Sequence, residues 1–129
     1  MATSRLIRWI PRLVLGAAAL HVLAGLANTE AFTAIASAGF VDTLIGHDDR
    51  GAAFWFVSTG LVLIALGELA RWAARQVGRL PARLGWWLIG VAVPVMVVMP
   101  VSGAPLYAAI GALTVAAARG RPSPVAAAR

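Results

Sequence analysis

Asp48-Asp49-Arg50-Gly51-Ala52-Ala53-Phe54-Trp55-Phe56-Val57-Ser58-Thr59-Gly60-Leu61-Val62-Leu63-Ile64-Ala65-Leu66-Gly67-Glu68-Leu69-Ala70-Arg71-Trp72-Ala73-Ala74-Arg75 opens on two acids, runs apolar from about Ala52 to Leu69 and closes on two arginines. Such a run predicts a transmembrane helix, because roughly 20 apolar residues cover about 30 Å of hydrocarbon. The acids suit a helix N-terminus, where the unsatisfied backbone N–H groups carry partial positive charge. Because loops rich in arginine stay cytoplasmic, the opposite charges at the two ends also orient the span.

Three further stretches repeat this pattern. The first runs from about Leu13 to Ala27, preceded by Arg5, Arg8 and Arg12 and followed by Asn28, Thr29 and Glu30. The others run from about Leu84 to Met99 and from about Ala104 to Ala118, separated by Pro100-Val101-Ser102-Gly103. Both are somewhat short for a span. Arg71, Arg75, Arg79 and Arg83 join the second stretch to the third, and Arg119, Arg121 and Arg129 occupy the tail. Of the eleven basic residues only Arg50 falls on the other side, and of the five acids only Glu68 lies among the arginines. The expected architecture is all-α: a four-helix transmembrane bundle, N-in/C-in, with spans of about 13–27, 52–69, 84–99 and 104–118. It forms a single membrane domain over 1–129, of which 119–129 is a cytoplasmic tail.

Composition points the same way. With 60% apolar and 12% charged residues, a soluble chain of 129 residues would lack a polar surface. The net charge of +6 is carried by arginine alone, and arginines flanking apolar segments face anionic headgroups rather than nucleic acid. The absence of cysteine excludes disulfides, thiolate metal sites, thiol redox chemistry and cysteine nucleophiles. Abundant Ala and Arg without lysine suggest a GC-rich bacterial genome, and so a multi-pass protein of the bacterial cell inner membrane. A competing reading makes the first stretch a cleavable signal peptide, with its basic start, apolar middle and small Gly25 and Ala27. His21 inside the apolar core speaks against it, and removal would leave three spans.

The outer loop 28–51 is long for a helix connection. Phe32, Ile35 and Phe40 recur in it at near-helical spacing, which predicts a short interfacial helix whose apolar side chains cap the outer mouth of the bundle. A lid over a ligand site is the sharper version of that expectation.

His21 is the most unusual residue, an ionisable group near the bilayer centre, where such groups are functional candidates by default. At about 100° per residue, Gly25 and Asn28 fall on its face and Glu30 opposite, which disfavours a relay between His21 and Glu30. Asn28 is the better local partner, with Gly25 leaving space for a small group or a water. Pro94 leaves the Gly90 carbonyl without its helical donor. The structural expectation is that the imidazole donates to that carbonyl, or to Ser58 or Thr59, and holds the bundle together. The functional one is ligand binding or proton transfer.

Haem would need a second axial ligand, and the other histidine, His47, sits in an outer turn where Asp48 or Asp49 reads as an N-cap. No metal and no cofactor is expected. In the second stretch, Trp55, Ser58, Thr59, Val62 and Leu66 form one stripe, and Gly60, Ile64, Gly67 and Arg71 an opposite one suited to close packing. The Trp55 stripe would line an outer cavity with Tyr107, Met99 and Ser102; alternatively Trp55 and Tyr107 form an interfacial aromatic belt. Glu68 is placed to pair with Arg71 and Arg75, and Trp9, Trp72, Trp86 and Trp87 form an inner belt.

Gly16, His21 and Gly25, then Ala53-Phe54-Trp55-Phe56 with Gly60, then Met99-Pro100-Val101-Ser102-Gly103 are arranged in a familiar order. The chain resembles a family of small bacterial four-helix membrane proteins classed as a domain of unknown function and, more distantly, the DoxX-like proteins. The resemblance spans about Arg5 to Ala118 and implies the four-span fold and an inner membrane, without a substrate or catalytic residue.

No residue constellation specifies a reaction, and whether the chain is an enzyme stays open. The first functional expectation is a structural or accessory bundle that meets membrane lipids, its own copies or a membrane protein partner. The second is a site for a lipid-like or quinone-like ligand in the outer half, built from His21, Asn28, Trp55, Ser58 and Tyr107. Transport is weaker, because one bundle offers no charged pathway and its first helix lacks the acid that small multidrug pumps place there.

Overall fold

The computed structural model describes residues 2–120, which form five α-helices and no strand. They are α1 (Ala2–Leu26), α2 (Thr29–Ser37), α3 (Asp48–Gln76), α4 (Ala82–Val98) and α5 (Ala104–Arg119). Two of them, over Arg5–Leu26 and Asp48–Gln76, are long and apolar enough to cross a membrane, and α4 and α5 are shorter apolar helices. Arg121 and Arg129, with the rest of the expected tail beyond Gly120, lie outside the described residues.

All four expected apolar stretches are helical, and two continue well beyond them. α1 begins at Ala2 and passes through Arg5, Arg8 and Arg12, with Pro11 fully buried inside it. Pro11 removes the bond to the Ile7 carbonyl without ending the helix. α3 runs past Leu69 to Gln76 and so carries the Glu68–Arg71 ion pair on its own surface. It ends through Val77 and Gly78, whose φ of 66° is the left-handed conformation that glycine adopts without penalty. The chain then turns back so that Leu80, 3% exposed, packs into the core before Pro81 starts α4.

α2 fits the expected short helix, capped by the Asn28 side chain, which accepts from the Ala31 N–H at 3.4 Å. It packs on α3 and buries Ala31 and Ile35, while Phe32 is half-buried. Phe40 does not join that face. It follows Gly39 in a left-handed turn with φ of 68° and is 72% exposed. At the start of α3 the cap position falls to His47, which makes no side-chain cap bond. Asp48 and Asp49 are first-turn residues instead of the expected N-cap, stabilising the N-terminus through charge.

α1 packs against α3 and α5, and α5 against α4. Both close pairs are antiparallel. In the first, Gly67 of α3 faces Val14 and Leu15, Gly60 faces His21 and Val22, and Gly25 of α1 faces Phe56 and Val57. In the second, Gly85 faces Gly111 and Val115, and Gly111 faces Gly85 and Ile89. The shared core combines Ile7, Ile10 and Val14 of α1 with Ala70 of α3, Leu88 and Ala92 of α4, and Tyr107 and Ile110 of α5.

This alternation gathers Arg5, Arg8, Arg12, Arg71, Arg75, Arg79, Arg83 and Arg119 at one end. Glu30, Asp42, Asp48 and Asp49 lie at the other.

Candidate functional site

His21 is set at the α1–α3 contact because α3 has no side chain at Gly60. A methyl there would fall 2.5 Å from Val22 Cγ2 and 3.2 Å from His21 Cδ2. In a helix the side chain at i+4 flanks the carbonyl at i, so glycine at 60 uncovers the carbonyl of Phe56. His21 Nε2 donates to that oxygen at 3.1 Å. A carbonyl only accepts, so Nε2 carries a proton. The ring also stacks on the Phe56 ring, with centroids 3.9 Å apart and planes 8° from parallel. One residue of α3 thus receives both the edge and the face of the histidine.

The partner differs from those expected. The hydrogen bond goes to α3, but to a backbone carbonyl in place of Ser58 or Thr59, and not to Gly90, which is exposed on α4. Thr59 Oγ1 donates to the Trp55 carbonyl within α3 at 2.8 Å. Nor does Gly25 leave space for a water. A methyl at that position would lie 2.6 Å from Val57 Cγ2 and 2.9 Å from Phe56 Cδ1, so α3 fills the notch.

The other candidates sit in different surroundings. Asn28 is exposed and serves as the cap of α2, Trp55 is 66% exposed with its edge against Phe54, and Ser58 is half-buried. Tyr107, 9% exposed, belongs to the core, which removes it from the expected aromatic belt; Trp55 remains outward. The Tyr107 hydroxyl is buried and has no hydrogen-bond partner among the described residues. No hydrogen bond or ring contact among the described residues joins any two of His21, Asn28, Trp55, Ser58 and Tyr107. Among the described residues there is also no group of three or more His, Asp or Glu side chains placed to hold a metal.

Residues 5–121 match the model described as Family of unknown function (DUF6463). The chain belongs to that family. No curated protein and no solved structure matches it, so the more distant DoxX-like resemblance gains no support.

The residue of this DUF6463 protein that the sequence reading missed is Phe56. A signal existed, since Phe56 lies four residues before Gly60 and seven after Gly60 comes Gly67, all on the face that meets α1. At the arginine end, the Arg12 guanidinium lies 5.2 Å from the centroid of Trp9 and that of Arg119 lies 5.8 Å from Trp86. A groove of about 320 Å³ opens there, lined by Arg5, Arg8, Trp9 and Arg12.

Proposed function

We propose that this DUF6463 protein is a multi-pass protein of the bacterial cell inner membrane, in which α1, α3, α4 and α5 form a four-span bundle with both termini cytoplasmic. It acts as a structural or accessory bundle. The observation that carries this reading is the use made of His21, whose ring is engaged by Phe56 in holding α1 to α3. Interhelical polar contacts of this kind are worth roughly 0.6 to 2 kcal/mol and are common packing devices in membranes.

Burial supports the membrane setting. The core helix of a soluble protein is mostly covered, whereas the apolar windows of α1 and α3 are only 33% and 17% buried. Leu20, Leu23, Val62, Leu69, Val91 and Val97 all point outward, and water would not tolerate so extended an apolar surface. The separation of arginines from acids matches the cytoplasmic bias of arginine-rich loops. The outward faces are suited to lipid, to further copies of the chain or to a membrane protein partner.

The second reading keeps His21, Asn28, Trp55, Ser58 and Tyr107 as the binding set for a lipid-like or quinone-like molecule. The buried hydroxyl of Tyr107, without a partner among the described residues, favours it. Mass spectrometry of the protein extracted in native lipid discs separates the two, comparing the wild type with His21→Leu. The bundle reading expects the same co-purifying molecules from both and a loss of roughly 1 kcal/mol in stability. A stoichiometric molecule that disappears on substitution would contradict it.

A further inference from the structure

The groove at the arginine end lies on one face of α1. Arg5, Arg8, Trp9 and Arg12 follow the i, i+3, i+4, i+7 spacing of a single helical stripe, opposite the buried Ile7, Ile10 and Val14. Each of the three arginines is exposed, and among the described residues none is in an ion pair, the acid at this end being taken by Arg71. The Arg12 guanidinium lies over the Trp9 ring, and a cation held by the face of a ring keeps N–H donors for an anion. Three such forks around an opening of about 320 Å³ match the oxygens of a phosphodiester, which guanidinium binds in bidentate fashion.

A second observation concerns what lies directly above the groove. At 100° per residue the stripe continues from Arg12 to Gly16, Leu20 and Leu23. A side chain at Gly16 would meet nothing within 4 Å, so this part of α1 is open to the surroundings. Leu20 and Leu23 are 64% and 63% exposed. The face therefore presents cations, then a gap, then exposed leucines, which is the sequence of chemistries along a phospholipid from headgroup to acyl chain.

We infer that the outward face of α1 is a binding site for an anionic phospholipid, with the phosphodiester held by Arg5, Arg8 and Arg12 beside Trp9 and an acyl chain lying over Gly16 against Leu20 and Leu23. The inference rests on the membrane reading above. It goes beyond the general attraction of arginine for a negative surface, because it assigns the lipid to one helix face when the connector between α3 and α4 carries a comparable charge.

The test uses the full chain purified in neutral detergent and native mass spectrometry with added phosphatidylglycerol or phosphatidylcholine. Two charge-matched variants are compared, Arg5→Gln/Arg8→Gln/Arg12→Gln and Arg75→Gln/Arg79→Gln/Arg83→Gln, with helicity checked by circular dichroism. The site predicts one retained phosphatidylglycerol per chain, no retained phosphatidylcholine, and about a hundredfold weaker retention in the first variant only. Gly16→Leu, which has room to fold, weakens retention about tenfold by covering the acyl track. Equal losses in the two triple variants overturn the site in favour of diffuse electrostatics. Full competition by inorganic phosphate, or unchanged retention in Gly16→Leu, overturns the lipid assignment. Alkaline carbonate extraction of the wild type keeps the two claims separate. A chain that stays in the membrane pellet without lipid preference removes this inference alone, whereas a chain released to the supernatant removes the membrane reading with it.

Discussion

In the α4–α5 pair a methyl added to Gly85 would fall 2.5 Å from the Gly111 carbonyl oxygen and 2.9 Å from the Val115 nitrogen. In the α1–α3 pair a methyl added to Gly60 meets mainly side-chain ends, Val22 Cγ2 at 2.5 Å and His21 Cδ2 at 3.2 Å. Both pairs use glycine to bring helices together, but the first does so backbone to backbone and the second backbone to side chain. A side chain can rotate away from an intruding atom, while a helical carbonyl moves only with its helix. The α4–α5 contact is thus the less forgiving. The α1–α3 contact has more slack, and a directional bond from His21 to the Phe56 carbonyl, with the stacked rings, sets its register.

The contrast is open to direct attack by substitution, with stability read by denaturant titration of the detergent-solubilised protein. Gly85→Leu has the largest expected effect, upwards of about 3 kcal/mol, because overpacking here pushes two backbones apart. If Gly85→Leu retained wild-type stability, the backbone-to-backbone contact would not exist as described. Gly60→Ala is expected to cost about 1 to 2 kcal/mol, less than the corresponding Gly85→Ala. A reversed order would mean that the α1–α3 contact is the rigid one. Combining Gly60→Ala with His21→Leu sharpens the point. The double variant should lose less than the sum of the two singles, because the alanine methyl already displaces the imidazole from Phe56.

The smallest effect is expected at Tyr107. Its hydroxyl is buried without a partner among the described residues, so Tyr107→Phe removes a desolvated polar group while keeping the ring. The expected change is between zero and a stabilisation of about 1 kcal/mol. A clear destabilisation would indicate that the hydroxyl is satisfied by something bound in the membrane, which would favour the ligand reading.

The helices were legible in the sequence to different degrees. Apolar stretches located α4 and α5 to within two residues, because Pro81 and Gly103 bound them sharply. The start of α1 and both ends of α3 extend beyond the apolar stretches, while the end of α1 falls within a residue of Ala27. Hydrophobicity marks what is apolar, and a helix continues through Arg5, Arg8 and Arg75 as long as its backbone bonds continue. α2 was foreseen from Phe32 and Ile35, but the left-handed turn at Gly39 and Phe40 broke the extrapolated period.

The candidate site was legible by helix and not by partner. The small-residue face of α3 was legible as a packing face, and His21 as the donor of a polar contact to a neighbouring helix, which is α3. Pro94 marks the Gly90 carbonyl and the hydroxyls mark Ser58 and Thr59, whereas the Phe56 carbonyl is uncovered by Gly60 four residues on, which the residue at 56 does not signal. Of the two expectations for Tyr107, a cavity lining and a belt, the belt fails, because Tyr107, Ile110, Gly111 and Thr114 repeat at helical spacing and are all buried. Thr114, fully buried, satisfies its hydroxyl on the Ile110 carbonyl at 2.8 Å, as a residue on a packing surface does.

The most direct test of the four-span reading exploits the absence of cysteine, since any introduced thiol is the only one in the chain. Ser37→Cys, Gln76→Cys and Ser102→Cys place single thiols at the end of α2, at the end of α3 and between α4 and α5. Each variant would be treated with a membrane-impermeant maleimide in right-side-out spheroplasts, before and after permeabilisation. The account predicts that Ser37→Cys and Ser102→Cys react in intact spheroplasts and that Gln76→Cys reacts only once the membrane is opened. Reaction of Gln76→Cys in intact spheroplasts, or protection of Ser102→Cys until lysis, would contradict it.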